Sequence, residues 1–120
     1  MTATGQLTTH VLDTAHGCPA EGVRVEVWFL DGPAHSLIAT LYTNADGRTD
    51  QPLLTAGALQ PGLYELVFAV GDYFRAQKLT LPEPLFLDRV PVRFGVANSE
   101  AHYHVPLLVS PWAYSTYRGS

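Results

Sequence analysis

Two histidines on one predicted strand form the first pattern in this sequence that could do chemistry. His102 and His104 lie two residues apart in the alternating segment 102–109, so both side chains project from the same face of a strand. His10 lies in the middle of another short segment of β-forming residues, 7–13. Imidazoles that are neutral near pH 7 can activate water as general bases. The competing interpretation for each histidine is a solvent-facing or hydrogen-bonded structural role.

The His-x-His pair also fits a zinc site, with His10 as a third ligand if its strand lies alongside. This spacing alone is a weak indication, and the sequence predicts neither a metal nor a cofactor. A cysteine or serine nucleophile is poorly supported. Cys18 lies in a turn-like Gly17-Cys-Pro19 segment, where we expect packing, and no serine has the sequence context of a nucleophile elbow.

A positive charge follows a predicted turn in the middle of the chain. Arg48 comes directly after Asp46-Gly47, a pair that favours a tight turn. A fixed guanidinium there could orient a planar substrate or stabilise developing oxyanion charge. A solvated arginine at a hairpin is the alternative. An exposed arginine is likewise the simple interpretation of Arg118, which lies near the last residue of the sequence.

These residues must be positioned by short strands, because glycines and prolines interrupt the chain throughout. In one segment Val23, Val25 and Val27 share a face, which is typical of a half-buried strand. Strands are predicted over 7–13, 23–30, 37–43, 62–70, 87–94, 102–109 and 113–117, with a further short strand near Thr49. One helix is predicted over 72–79, with Asp72 as its N-cap. The pattern predicts an all-β class, an antiparallel β-sandwich, with residues 1–120 as a single domain.

Composition narrows the function classes. The 120 residues carry 7 Lys+Arg against 11 Asp+Glu, a net charge of −4, which argues against a nucleic-acid partner. Charged residues make up only 15%, so we expect part of the surface to be covered by self-association. The single cysteine cannot form an internal disulfide, and no apolar run is long enough for a membrane helix. The first residues lack the pattern of a signal peptide, which predicts a cytoplasmic protein without a membrane partner.

Two long segments of the chain resemble those of a known family. Residues 9–20, Thr-His-Val-Leu-Asp-Thr-Ala-His-Gly-Cys-Pro-Ala, resemble the opening signature of transthyretin-like proteins. Residues 103–120 resemble their closing signature, and the final Tyr-Arg-Gly-Ser is the tetrapeptide of the enzyme branch, the 5-hydroxyisourate hydrolases. The resemblance runs from about Leu7 to Ser120 and is weaker between 53 and 93. Trp112 stands where the family more often has tyrosine.

The resemblance implies a transthyretin-like antiparallel β-sandwich of two four-stranded sheets with one short helix. It implies a homotetramer with sites at the subunit interface, where a central channel opens. The implied reaction is the metal-free, cofactor-free hydrolysis of a small molecule, 5-hydroxyisourate, to 2-oxo-4-hydroxy-4-carboxy-5-ureidoimidazoline in urate degradation. Water adds to a ring carbonyl and a C–N bond breaks, which requires a base, oxyanion stabilisation and a proton for the leaving nitrogen.

The resemblance also implies roles for individual residues. The catalytic positions correspond to His10, Arg48 and His104, and the substrate-binding positions to His10, Arg48, Tyr117, Arg118 and Ser120. His102 does not correspond to a catalytic position of the family, and we expect it to act from behind the catalytic groups. If His104 faces the site, the strand period puts Pro106 and Leu108 on its side and Tyr103, Val105 and Leu107 toward the core.

Two other functions remain open from the sequence. The first is a transthyretin-like protein that binds a small ligand without catalysis. Such a carrier favours an apolar channel, whereas His10, Arg48 and His104 together predict a reactive one. The second is a metal-dependent hydrolase that uses His10, His102 and His104, which a chelator would inhibit.

Overall fold

The computed structural model describes residues 4–120, so the first three residues of the expected domain lie outside the described residues. Eight strands and one short helix occur within 4–120. They are β1 (Gln6–Asp13), β2 (Cys18–Pro19), β3 (Arg24–Asp31), β4 (Ala34–Tyr42), β5 (Gly62–Phe68), α1 (Val70–Arg75), β6 (Val90–Val96), β7 (His102–Val109) and β8 (Tyr114–Thr116). The predicted all-β class with one short helix is confirmed.

The strands form two four-stranded sheets, in the orders β2-β1-β7-β8 and β4-β3-β5-β6. Five of the six strand pairs are antiparallel, as expected, but β1 and β7 run parallel. A parallel pair needs a long crossover connection. Here the whole second sheet, β3 to β6, lies in the chain between the two strands and makes that crossover.

The core lies between the sheets and follows the period-two pattern. Val23, Val25 and Val27 are essentially inaccessible, as their alternation predicts. From the other sheet, β1 and β7 contribute inward-facing residues that alternate with more exposed ones, namely Leu7, Val11, Tyr103, Val105 and Leu107. The side chains of β1 and β7 that lie between these face outward, and they include the histidines.

Three local predictions differ from the structure. The segment predicted as a turn forms β2, which pairs Leu12 with Pro19, and Cys18 is exposed rather than packed. Thr49 lies in a loop instead of a strand. The helix runs from Val70 to Arg75, so Asp72 lies in its first turn and is not its N-cap. The Asp72 carboxylate pairs instead with Arg75 and Arg89, at 3.2 and 3.4 Å. Among residues 4–120, no helix is long and apolar enough to cross a membrane.

A buried carboxylate fixes the end of β1. The Asp13 side chain is fully inaccessible and accepts hydrogen bonds from the backbone N–H groups of Ala15 and His16, at 2.9 and 3.0 Å. Its Oδ2 also lies 2.6 Å from His16 Nδ1 and accepts from the Tyr73 hydroxyl at 2.8 Å. Burial opposes ionisation, but the hydrogen bonds from Tyr73 and His16 outweigh it and hold the pKa of Asp13 below its ordinary value. The carboxylate therefore joins β1, the following turn and α1.

Replacing this carboxylate should destabilise the fold. We expect Asp13→Ala to lower the free energy of unfolding by about 3–5 kcal/mol, because it leaves buried donors without an acceptor. Tyr73→Phe, which removes one of the hydrogen bonds, should lower it by about 1–3 kcal/mol. Urea denaturation at pH 7 measures both. An Asp13→Ala effect no larger than that of Tyr73→Phe would contradict this role.

The Asp13 contribution also has a defined pH dependence. A carboxyl whose pKa is lower in the folded state stabilises the protein above its ordinary pKa of 3.8. The stabilisation is lost as the pH falls through the lowered value. The difference between wild type and Asp13→Ala should therefore shrink on acidification below about pH 4.

Candidate active site

The parallel register of β1 and β7 brings the predicted site residues together. Thr8 lies opposite His104, and His10 lies opposite Pro106. The side chains of Thr8, His10 and His104 alternate with buried residues of the same strands, so they share the outer face of the sheet. Pro106 is buried but lies on the same face by the strand period. This confirms the expectation that His104 shares a face with Pro106, with Tyr103 and Leu107 turned to the core.

The imidazole of His104 is held along two edges. Its Nδ1 lies 2.8 Å from the hydroxyl Oγ1 of Thr8. Gly119 lies against the other edge, since a Cβ on Gly119 would come within 2.5 Å of His104 Cδ2. The Gly119 N–H donates to the His104 carbonyl at 2.8 Å and fixes that approach. The other ring nitrogen, Nε2, has no hydrogen-bond partner within residues 4–120.

Arg48 is presented by a turn that Asn44 organises. The Asn44 Oδ1 accepts from the N–H groups of Asp46 and Arg48, at 2.9 and 3.2 Å, and its backbone N–H donates to the Arg48 carbonyl at 2.6 Å. Its Nδ2 donates to the Asp50 carboxylate at 2.9 Å. Asn44 precedes the predicted Asp46-Gly47 turn, and an asparagine at this place is a common signal for such a turn.

This turn docks directly on β1 beside His10. The Val11 N–H donates to the Gly47 carbonyl at 2.7 Å. Gly47 has a φ of +75°, and a Cβ there would lie 2.3 Å from the Val11 carbonyl oxygen and 3.3 Å from His10 Cδ2. Glycine is therefore required for both its backbone conformation and its close approach.

A polar cavity of about 330 Å³ opens between these elements. Its walls include Thr8, Arg48, Asp50, His102, His104 and Ser120. Three predicted site residues, Arg48, His104 and Ser120, thus share one cavity. His10 is half-buried at the docked turn and is not part of the wall, although it lies close enough to His104 to influence its charge.

The other two predicted site residues, Tyr117 and Arg118, do not line this cavity. Tyr117 and Arg118 line a second, more apolar cavity of about 370 Å³, together with Phe94, Tyr103 and Val105. The Arg118 guanidinium carbon lies 4.2 Å from the centre of the Tyr103 ring. Both residues come just before Gly119, which packs against His104, but neither lines the first cavity.

His104 is kept in its neutral form. Burial is the largest influence that lowers its pKa below the ordinary 6.5, and the charge of Arg48 adds to it, followed by His10 and His102. A neutral imidazole at pH 7 next to a permanently charged guanidinium can accept a proton while the guanidinium stabilises an anion.

The three-histidine metal site finds no support in this geometry. Within residues 4–120, no group of three or more His, Cys, Asp or Glu side chains is arranged to hold a metal ion. His102 Nε2 and His104 Nδ1 both lie within hydrogen-bond distance of the Thr8 hydroxyl instead.

The close packing of Gly47 against β1 can be tested by glycine substitution. Gly47→Ala should destabilise the protein by more than Gly32→Ala. Gly32 also has a positive φ, but a Cβ there would meet nothing within 4 Å. Conformational strain predicts a loss of about 1–2 kcal/mol for Gly32→Ala, and Gly47→Ala adds the clash with Val11. Urea denaturation measures stability, and the NMR signals of the His10 imidazole report its displacement. Equal losses with unchanged His10 signals would contradict the close packing.

Comparison with known proteins agrees with this geometry. Residues 7–119 match the model of the HIUase/Transthyretin family. The chain is 59% identical over 116 residues to a 5-hydroxyisourate hydrolase of Pseudomonas aeruginosa, covering 97% of this chain and 92% of that protein. A crystal structure of (S)-allantoin synthase superposes on all of this chain with a TM-score of 0.92 and 46% identity, although this chain spans only 46% of that longer protein.

A sea bream transthyretin in complex with thyroxine is more distant in sequence. It superposes with a TM-score of 0.84 and 28% identity, over 95% of this chain and 94% of its own. The family model covers nearly the whole chain. The Pseudomonas relative is 59% identical over 97% of this chain. This protein belongs to the HIUase/Transthyretin family.

Proposed function

We propose that this chain catalyses the hydrolysis of 5-hydroxyisourate to 2-oxo-4-hydroxy-4-carboxy-5-ureidoimidazoline, a step of urate degradation. Its relative at 59% identity is a 5-hydroxyisourate hydrolase, and the match extends over nearly the full length of both chains. One observation supports this reaction above all: the neutral His104 and the cationic Arg48 share a polar cavity. A cavity of about 330 Å³ is in the range that small-molecule sites occupy.

The reaction begins with water in this mechanism. His104, with His10 nearby, takes a proton from water at its free nitrogen, and the hydroxide adds to a ring carbonyl carbon of the substrate. The carbonyl oxygen becomes an oxyanion, which Arg48 stabilises. The C–N bond then breaks, and the proton held by the imidazolium passes to the leaving ring nitrogen. The net change is the addition of one water molecule, and both histidines return to their starting charge.

The remaining predicted residues bind the substrate. Ser120 can hydrogen-bond the polar ring from the cavity wall. Tyr117 and Arg118 belong to the second cavity within one chain, so in this proposal they act on the substrate only after local rearrangement or across a subunit boundary.

A homotetramer with sites at the interface is the assembly that we propose. Only 15% of the residues are charged, and exposed large apolar side chains are frequent, including Leu63, Phe86 and Trp112. The outer face that carries His10 and His104 also carries the apolar Leu12 and Leu108. Sedimentation equilibrium measures the assembly, and a monomer would contradict it.

The non-catalytic carrier is less well supported. The cavity that holds His104 has a largely polar wall, with an arginine, an aspartate and hydroxyl groups. An apolar ligand would leave these groups without partners. The relative with 59% identity is a hydrolase, whereas the thyroxine-bound transthyretin is 28% identical.

The decisive experiment generates 5-hydroxyisourate from urate and follows its decay by ultraviolet absorbance. The protein should accelerate the decay, and His104→Ala should lower kcat/KM by about 10²–10⁴-fold, the usual contribution of a general base. His35→Ala is the matched control, because His35 is an exposed histidine of the other sheet. No acceleration by wild type would contradict the function. Full activity of a folded His104→Ala would contradict only its role.

The pH dependence of kcat/KM should report the charge around His104. His104 acts as a base when neutral, so activity should fall only as the pH drops through its lowered pKa, below 6.5. Arg48→Met removes a cation that lowers this pKa. The pH at which kcat/KM falls on the acid side should therefore rise. The maximum of kcat/KM should also be lower, because Arg48 no longer stabilises the oxyanion.

Arg89→Met is the control for this profile, because Arg89 pairs with Asp72 beside the helix. Its acid limb should coincide with that of wild type. An acid limb that stays in place in Arg48→Met, or moves to lower pH, would contradict the electrostatic role of Arg48.

A further inference from the structure

A single hydroxyl group lies between two histidines of the site. Thr8 Oγ1 is 2.8 Å from His104 Nδ1 and 3.0 Å from His102 Nε2. Both distances are those of hydrogen bonds. The arrangement follows from the backbone, because Thr8 lies opposite His104 in the parallel pair and His102 is the next residue on that face of β7.

When the Thr8 hydroxyl donates to one of the two imidazoles, this group has two arrangements. A threonine hydroxyl donates one hydrogen bond and accepts through its lone pairs, and a neutral imidazole has one N–H and one bare nitrogen. In the first arrangement, His104 donates from Nδ1 to Thr8, and Thr8 donates to Nε2 of His102. In the second, His102 donates to Thr8, and Thr8 donates to Nδ1 of His104. The two differ in which nitrogen of His104 carries the hydrogen.

The neighbouring cation favours the first arrangement. With Nδ1 on Thr8 and Cδ2 against Gly119, the Nε2 end of His104 is left for the cavity that Arg48 also lines. A guanidinium has five N–H donors and no acceptor. It is attracted to a bare Nε2 and repelled by an Nε2–H. Of the groups whose charge acts on His104, only Arg48 is permanently charged, since His10 and His102 are uncharged when neutral. The Asp50 carboxylate also lines the cavity, where it accepts from Asn44 Nδ2 at 2.9 Å.

We propose that Thr8 and His102 are positioning residues that hold His104 in the tautomer with hydrogen on Nδ1, so that its bare Nε2 faces the cavity. The hydrogen bonds run in one direction, from His104 through Thr8 to His102. His102 is the final acceptor, and its other nitrogen donates to solvent. The catalytic value of this tautomer rests on the proposed function, but the tautomer itself does not.

This order of hydrogen bonds suits proton acceptance at Nε2. When His104 takes a proton there, it carries hydrogen on both nitrogens, and the bond from Nδ1 to Thr8 is already correctly oriented. The second arrangement has no lone pair at Nε2 to receive the proton. Its Nδ1 lone pair is directed at Thr8 and away from the cavity.

The tautomer can be observed directly by NMR of histidine labelled with ¹⁵N. Correlation of ring nitrogens with ring protons distinguishes the two neutral tautomers, and His104→Ala assigns the signals. In wild type at a pH above 7, His104 should carry its hydrogen on Nδ1. In Thr8→Val, which removes the hydroxyl with little change in volume, the population should shift toward hydrogen on Nε2. Thr8→Ser should restore the wild-type pattern.

His102 provides a second test of direction. His102→Leu removes the final acceptor, so the Thr8 hydroxyl becomes free to donate to Nδ1 of His104. The His104 population should again shift toward hydrogen on Nε2, although Thr8 is present. Since His102 is exposed, this substitution should not impair folding.

We expect kcat to fall in the variants that shift the hydrogen of His104 from Nδ1 to Nε2. Thr8→Val should lower kcat by about 10–100-fold, part of the 10²–10⁴ that a general base contributes, with a smaller change in KM. Thr8→Ser should recover most of the loss. Thr14→Val is the matched control, because the Thr14 hydroxyl, directly after β1, also bonds to β7, through the Val109 carbonyl at 3.1 Å, outside the cavity. It should leave the His104 tautomer and kcat unchanged.

Two results would overturn the proposed series of hydrogen bonds from His104 through Thr8 to His102. One is a wild-type His104 with hydrogen on Nε2, and the other is a tautomer that is the same in wild type, Thr8→Val and His102→Leu. Failure of the proposed function is recognised separately, as absence of 5-hydroxyisourate turnover by wild type. The NMR result tests the hydrogen-bond direction in either case.

Discussion

The site depends on the register of one parallel strand pair, β1 with β7. This register sets Thr8 beside His104 and leaves Thr9, the next residue, facing inward, where its hydroxyl donates to the Val105 carbonyl at 2.7 Å. A shift by one residue would exchange the two faces of β1 and bury His10. The inward-facing apolar residues and the Asp13 carboxylate at the end of β1 oppose such a shift, so the groups that stabilise the fold also align the site.

The two faces of these strands provide opposite electrostatic environments. Asp13 is fully buried, yet it is ionised because donors surround it and lower its pKa. His104 is only half-buried, and both burial and neighbouring positive charge favour its neutral form. The first case produces a stable charge with no access to a ligand. The second produces an uncharged base at the edge of a cavity. What separates them is the set of neighbours, and burial alone would have raised the pKa of the carboxyl.

Local patterns were sufficient to predict seven of the eight strands and the buried faces of β3 and β7. The alternation around Val25 and around His104 required only neighbouring residues, and the family signatures added the sheet count. The parallel pairing of β1 with β7 and the pairing of Cys18 in β2 were missed, because they depend on partners that only the folded chain brings together. The same holds for Thr8, which is one β-forming residue among several in the sequence. Its role arises from a contact 96 positions away.

Backbone contacts decide the orientation of both imidazoles, and this explains why two glycines stand at the site. Gly47 lies against His10, and Gly119 lies against His104, each so close that a side chain would collide with its surroundings. A ring confined by backbone on one edge has few orientations left. A single hydrogen bond to the Thr8 hydroxyl, on the opposite edge of His104, is then sufficient to select among them. The chemistry of His104 is therefore a property of its confinement as much as of its residue type. A related chain that kept the histidine but had a residue without a hydroxyl in place of Thr8 would retain the base and lose control over which nitrogen faces the cavity.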